Sequence, residues 1–155
     1  AGVLHTRDMA NILNEIIQIG GTTALTEALD ADDIASWMDR APTKSSWHVA
    51  EDERGRVLGF QWIEPAAYLP AEAAEIASFV RPGRTGFGIG TRLFEATRLA
   101  AKGLGYSWIN ANIRADNESG LIYYQSRGFE TYGQKQGVRL ADGSTVDKVL
   151  KRFDL

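Results

Sequence analysis

Thr85-Gly86-Phe87-Gly88-Ile89-Gly90 places three glycines at alternate positions, and a helix-forming run from Thr91 to Ala101 follows at once. Ahead of it, Ile76-Ala77-Ser78-Phe79-Val80 reads as an extended apolar segment closed by Pro82 and Gly83. A strand, a glycine turn and a helix start leave unpaired N–H groups and the positive end of a helix dipole facing outward. Without Cβ atoms in the way, an anion such as a pyrophosphate can come close. The plain alternative is a glycine turn that binds nothing.

Spacing removes two common ligands. A Walker A loop needs Gly, four residues, then Gly-Lys-Ser/Thr; Gly83 and Gly88 have that separation, but Ile89-Gly90 follows. A dinucleotide fingerprint needs a third glycine three residues after its second. Counted from Gly86 or Gly88, that position is Thr91 or Leu93.

The rest of the chain supplies the frame. A stripe of Met9, Ile12, Leu13, Ile16 and Ile17 predicts a first helix, capped by Thr6 or Asp8 and stopped by Gly20-Gly21. A second runs from Asp32 to Asp39, capped by Asp30 or Asp32. Trp47–Ala50 and Val57–Ile63 read as a hairpin around Asp52–Gly55, and Ala66–Ala74 as a loop. Ser107–Ile113 is another strand, and Asn117–Arg127 a short helix. Phe129–Leu140 and Thr145–Phe153 form a hairpin around Asp142-Gly143. With a short first strand near Val3-Leu4, the order suits one α+β domain over residues 1–155. Its sheet is mostly antiparallel, with one parallel pair around the glycine-started helix.

Seventeen Lys plus Arg against twenty Asp plus Glu give a net charge of −3, which argues against a nucleic-acid partner. The absence of cysteine excludes disulfides, thiolate metal sites and a cysteine nucleophile, and fits a reducing cytoplasm. No run is long and apolar enough for a membrane span. His5 and His48 lack metal-ligand spacing, so no metal is expected.

A second motif lies one strand after the glycine-started helix. Asn117 is followed seven residues on by Tyr124, and that tyrosine by Gly128-Phe129 four residues later. By capping logic alone, these residues start and stop a helix. Together with Gly88 and Gly90, they resemble the GNAT superfamily of acyl-CoA-dependent N-acyltransferases. Members carry Gln/Arg-x-x-Gly-x-Gly/Ala before a helix, then an Asn, a Tyr and Gly-Phe at these spacings. Thr85 departs from the pattern, standing in the Gln/Arg position beside Arg84.

The resemblance covers nearly the whole chain. It implies a GNAT fold: a central, mostly antiparallel twisted sheet of six to seven strands, about four helices, and a splayed parallel pair at the fourth and fifth strands. It also implies acetyl-CoA as donor, with the pyrophosphate on amides of Gly86, Phe87, Gly88, Ile89, Gly90 and Thr91. Thr85 would flank them, and the pantetheine would pair with Ser78, Phe79 and Val80. A β-bulge would part the strands to admit the thioester, and Asn117 would reach the ligand through its side-chain amide.

Acyl transfer to an amine needs a base, an oxyanion donor and an acid for the leaving thiolate. The resemblance assigns the acid to Tyr124, leaving Tyr123 as a core partner, and a backbone N–H near Val80 could hold the oxyanion. Glu75-Ile76-Ala77-Ser78-Phe79-Val80 resembles the glutamate-containing strand of the phosphinothricin and methionine sulfoximine acetyltransferase branch, which makes Glu75 the base and Glu72 its fallback. Glu75 either lines the cleft or is a solvated edge charge. Asn110 and Asn112 share a face with Trp108. They either line the acceptor cleft or satisfy strand-edge polar groups.

The loop Ala66–Ala74 has no Arg or Lys to clamp a carboxylate. The expected activity is direct transfer to a primary amine of a small molecule or amino-acid-like acceptor, in a homodimeric enzyme. The alternatives are a non-catalytic acyl-CoA sensor and an acetyltransferase acting on a protein N-terminus or lysine.

Overall fold

The computed structural model describes residues 2–20, 23, 25–83 and 88–155. Arg84, Thr85, Gly86 and Phe87 lie outside the described residues. After a 3-10 turn at Val3–His5 come α1 (Thr6–Ile19), α2 (Ala31–Met38), β1 (Ser46–Glu51), β2 (Val57–Glu64) and β3 (Ala73–Val80). α3 (Ile89–Gly103), β4 (Trp108–Arg114), α4 (Glu118–Ser126), β5 (Glu130–Arg139) and β6 (Thr145–Asp154) complete the order.

The described strands form one six-stranded sheet in the order β1-β2-β3-β4-β6-β5. Only β3 and β4 pair in parallel. The expected first strand near Val3-Leu4 is the 3-10 turn, so the parallel pair falls on the third and fourth strands. β3 also starts at Ala73, inside the segment read as a loop, because Ala73 and Ala74 are buried against β4.

Strand alternation sends side chains to two cores. On one face Trp47, Phe60 and Trp62 pack with Met9, Ile12 and Leu13 of α1 and Ile34 of α2. The indoles of Trp47 and Trp62 stack there with centroids 4.1 Å apart. On the other face Ile63, Ile76, Ile109 and Ala111 pack with Phe94 of α3, Tyr124 of α4 and Phe129. The end of α1 is set by Gly20, whose φ of 77° continues no helix. α2 begins with a capping box: the Asp30 side chain accepts from the Asp33 amide, and the Asp33 side chain returns the bond. α1 has no side-chain cap; Thr6 is buried in its first turn.

Candidate active site

β3 and β4 pair only from Ala73↔Trp108 to Ile76↔Ala111. Beyond that point β3 stays paired to β2 as far as Val80, and β4 stays paired to β6 as far as Arg114. Each strand follows its outer neighbour, and the two diverge. No β-bulge does this, contrary to expectation: the registers of β3 on β2 and of β4 on β6 run without a shift. The parting leaves a V-shaped opening whose β3 wall presents backbone groups with no strand opposite them. A cleft of about 1020 Å³ runs through it, lined by Ser78, Phe79 and Val80 on one side and Asn112 and Ile113 on the other.

The two faces of the sheet give the opening two chemistries. Ser78 pairs with Gln61, so the two side chains share the α3/α4 face. There the Ser78 and Tyr124 hydroxyls lie 2.8 Å apart. Gln61, wholly buried, donates from Nε2 to Ser78 Oγ at 2.8 Å and to Tyr123 Oη at 3.0 Å. Tyr123 Oη donates in turn to the Gly90 carbonyl at 2.7 Å. Tyr123 is therefore more than the core partner expected of it: it ties α4 to the start of α3. Burial pushes the Tyr124 hydroxyl above the usual tyrosine value, and its hydrogen bond with Ser78 pulls the other way.

Glu75 lies three residues from Ser78 and so points to the opposite face, with Asn110, Asn112, Arg114 and Lys148 in register beside it. Glu75 lines the cleft, whereas Glu72 is exposed and absent from its lining. Burial raises the Glu75 carboxyl above the usual range; the Tyr68 hydrogen bond and the Lys135 and Lys148 charges oppose the rise. Tyr68 donates to Glu75 and accepts from Asn110 Nδ2 at 3.0 Å and from Asn112 Nδ2 at 3.3 Å. Tyr132 donates to Asn110, and the Lys135 ammonium sits 3.7 Å from the centroid of the Tyr68 ring. Asn110 is thus fastened inside the network, while Asn112 reaches the cleft.

Basic residues do reach this face, from elements other than the loop. Lys148 comes from β6, partly buried, its ammonium pKa lowered by burial against the pull of Glu75. Arg40 pairs with Glu64 at 2.6 Å at the cleft wall. Arg114 is committed to Asp116 and to the Thr23 carbonyl. Trp37, Trp62 and Phe79 supply an aromatic wall.

The glycine turn enters the described residues at Gly88. Its φ of 74° is a left-handed conformation at the N-cap of α3, and a Cβ there would meet open space. Gly90 has a different reason to be glycine. A Cβ there would come within 2.6 Å of the Tyr123 ring, so the missing atom makes room for α4. Gly88, Ile89, Gly90 and Thr91 all line the cleft. Asn117 lines it too, but its side-chain oxygen caps α4, accepting from the Gly120 amide at 3.1 Å. His48 bonds Ser46 and His5 bonds Glu51, both outside the cleft.

The Acetyltransferase (GNAT) domain model matches residues 43–131. The chain belongs to the GNAT acetyltransferases. It is 29% identical over 144 residues to YwnH of Bacillus subtilis, named a candidate phosphinothricin acetyltransferase, covering 91% of this chain and 88% of that one. It is 28% identical to the L-methionine sulfoximine/L-methionine sulfone acetyltransferase of Pseudomonas aeruginosa, over 100% of this chain and 92% of the other. Among solved structures, a Sinorhizobium meliloti phosphinothricin acetyltransferase in complex with acetyl-CoA shares the fold. Its TM-score is 0.86 at 22% identity, over 100% of this chain and 85% of that one. The ribosomal-protein-alanine N-acetyltransferase of Brucella melitensis has a TM-score of 0.89 at 22% identity, over 100% and 97%.

In this GNAT acetyltransferase, Gln61, Lys148 and the bond from Tyr68 to Glu75 escape sequence reasoning. Gln61 alone gave a signal: an amide amid the apolar residues of β2. Lys148 acts through partners far away in sequence; Tyr68 bonds Glu75 seven residues on and also Asn110 and Asn112 of β4. No helix among the described residues is long and apolar enough to cross a membrane.

Proposed function

We propose that this acetyltransferase moves an acetyl group from acetyl-CoA to the primary amine of a small, amino-acid-like acceptor, by direct attack with both bound. The observation that carries the reading is the opening between β3 and β4, with a buried tyrosine hydroxyl on one face and a carboxylate on the other. The residues present fit a CoA thioester. The β3 edge at Ser78, Phe79 and Val80 has backbone free to pair with an extended amide-bearing arm, and α3 turns its positive end and the left-handed Gly88 toward the cleft.

Glu75 is the base. An alkylammonium is protonated at neutral pH, and a carboxylate with a raised pKa is the better matched acceptor for its proton. Tyr124 is the acid: as the carbon–nitrogen bond forms and the carbon–sulfur bond breaks, it gives its proton to the departing sulfur. Lys148 supplies the cation for an acceptor carboxylate. The relatives named for methionine sulfoximine and phosphinothricin support a small acceptor of that class.

The test is release of CoA thiol from acetyl-CoA with a panel of amines. Methionine sulfone, methionine sulfoximine and phosphinothricin should turn over, and the matching carboxamides and peptide N-termini should be poor. Tyr124→Phe should cut kcat by roughly 100-fold while CoA affinity is kept. Tight CoA binding without turnover across the panel would overturn the reading.

A further inference from the structure

We infer that Gln61 and the side chain of Ser78 are positioning residues for Tyr124: they turn its hydroxyl proton toward the cleft and hold the phenolate left once that proton is given up. The inference rests on Tyr124 being the acid. It rests also on a count of hydrogens, which orients Gln61, and on the partners left for the Ser78 proton.

Tyr123 has one hydroxyl proton, and the Gly90 carbonyl 2.7 Å away can only accept it. Tyr123 Oη therefore faces Gln61 as an acceptor, which makes the Gln61 atom at 3.0 Å the amide nitrogen and fixes the orientation of the amide. The second hydrogen of that nitrogen goes to Ser78 Oγ at 2.8 Å. Ser78 thus accepts one bond and keeps a second lone pair, so the count alone allows either hydroxyl to donate. Among the described residues Tyr124, at 2.8 Å, is the one acceptor within reach of the Ser78 proton, and that favours Ser78 as the donor. With Ser78 donating, the Tyr124 oxygen is held from behind and its proton is turned to the cleft that the residue lines.

The arrangement answers an energetic difficulty. Burial makes Tyr124 a weaker acid than ordinary tyrosine, and a free thiol near pKa 8.5 is already the stronger acid of the two. Proton transfer to sulfur creates a buried phenolate, which needs a charge-assisted hydrogen bond. Ser78 is placed to donate it. Gln61 is placed to keep Ser78 in that sense, since both of its amide hydrogens are committed. Gln61 is wholly buried on β2 and its Oε1 finds no hydrogen-bond partner among the described residues, so its two donated bonds are what offset the cost of burying the amide.

The test is a mutant cycle on kcat. Ser78→Ala should lower kcat about 10- to 100-fold, the worth of a hydrogen bond to a charged group, with the KM for acetyl-CoA unchanged. Ser78→Thr keeps the hydroxyl and should restore most of the rate, and Gln61→Met should fall in the same direction as Ser78→Ala. In a Tyr124→Phe background Ser78→Ala should cost nothing more. An acetyl thioester of a more acidic thiol should narrow the Ser78→Ala deficit, because the leaving group then needs less help.

Additive losses in the cycle, full activity in Ser78→Ala, or a deficit indifferent to the leaving thiol would each overturn the inference. If Tyr124→Phe alone leaves kcat unchanged, the assignment of the acid is wrong and the inference falls with it. If Tyr124→Phe is slow but Ser78→Ala is not, only the inference fails.

Discussion

Burying the Glu75 carboxyl carries a cost to the fold. Burial raises its carboxyl pKa above the unfolded value, so the protonated form is favoured in the folded chain. The stabilising contribution is fully present below the unfolded pKa and is lost as pH rises through the folded one. At neutral pH the charged carboxylate is therefore a liability. Glu75→Gln should raise Tm at pH 7 and leave it little changed at pH 4, read by thermal denaturation at both values. The same substitution should cut kcat/KM roughly 100-fold. With Glu75 as the proposed base, the acid limb of kcat/KM in the wild type should lie above that of an ordinary glutamate, because a base acts only once deprotonated. Lys148 is the residue to test for the acceptor. Among the described residues no carboxylate stands at ion-pair distance from it. Lys148→Met should raise KM about tenfold for acceptors bearing a carboxylate, the worth of one charged hydrogen bond, and spare their carboxamides.

The element that matters most is the start of α3, because two separate demands meet in three residues. Gly88 supplies a left-handed N-cap, and Gly90 lets the Tyr123 ring lie against the first turn. Spacing in the sequence locates both glycines but gives them one shared reason, ligand approach. The Tyr123 contact depends on α4, 33 residues away along the chain from Gly90. Gly90→Ala should therefore act through packing. The added methyl has to push Tyr123 aside, at roughly 1–3 kcal/mol of stability. It should also weaken CoA binding by moving the helix start. Urea unfolding measures the first effect and isothermal calorimetry with CoA the second. A drop in CoA affinity with unchanged stability would restore the ligand-approach explanation.

At the scale of the molecule, the cleft joins two cores. α1, α2 and the aromatic face of the sheet form one, and α3, α4 and the opposite face form the other. β3 and β4, the strands between the two halves of the sheet, are paired over only part of their length. A donor laid into the opening would bridge groups from both halves and stabilise the folded state by mass action. Acetyl-CoA at about 100 times its Kd should contribute about 2.7 kcal/mol, visible as a rise in Tm that grows with ligand concentration.

Much of this was legible in the residue order. The α1 stripe, the strand alternation, the Asp142-Gly143 turn and the Gly, Asn, Tyr and Gly-Phe spacings are local patterns, set by helix and strand periodicity and by turn chemistry. They carried the GNAT fold, the acetyltransferase activity and the positions of Glu75 and Tyr124. The tertiary structure alone decided what stands beside those two groups. Whether Glu75 faced solvent or the cleft depended on Asn110, Asn112, Lys135 and Lys148 arriving from other elements, and on the turn before β3 that folds Tyr68 back onto it. The setting of Tyr124 depended on Gln61, 63 residues earlier. Such neighbours follow from sheet register and helix docking, which place residues by long-range packing that no short-range pattern records.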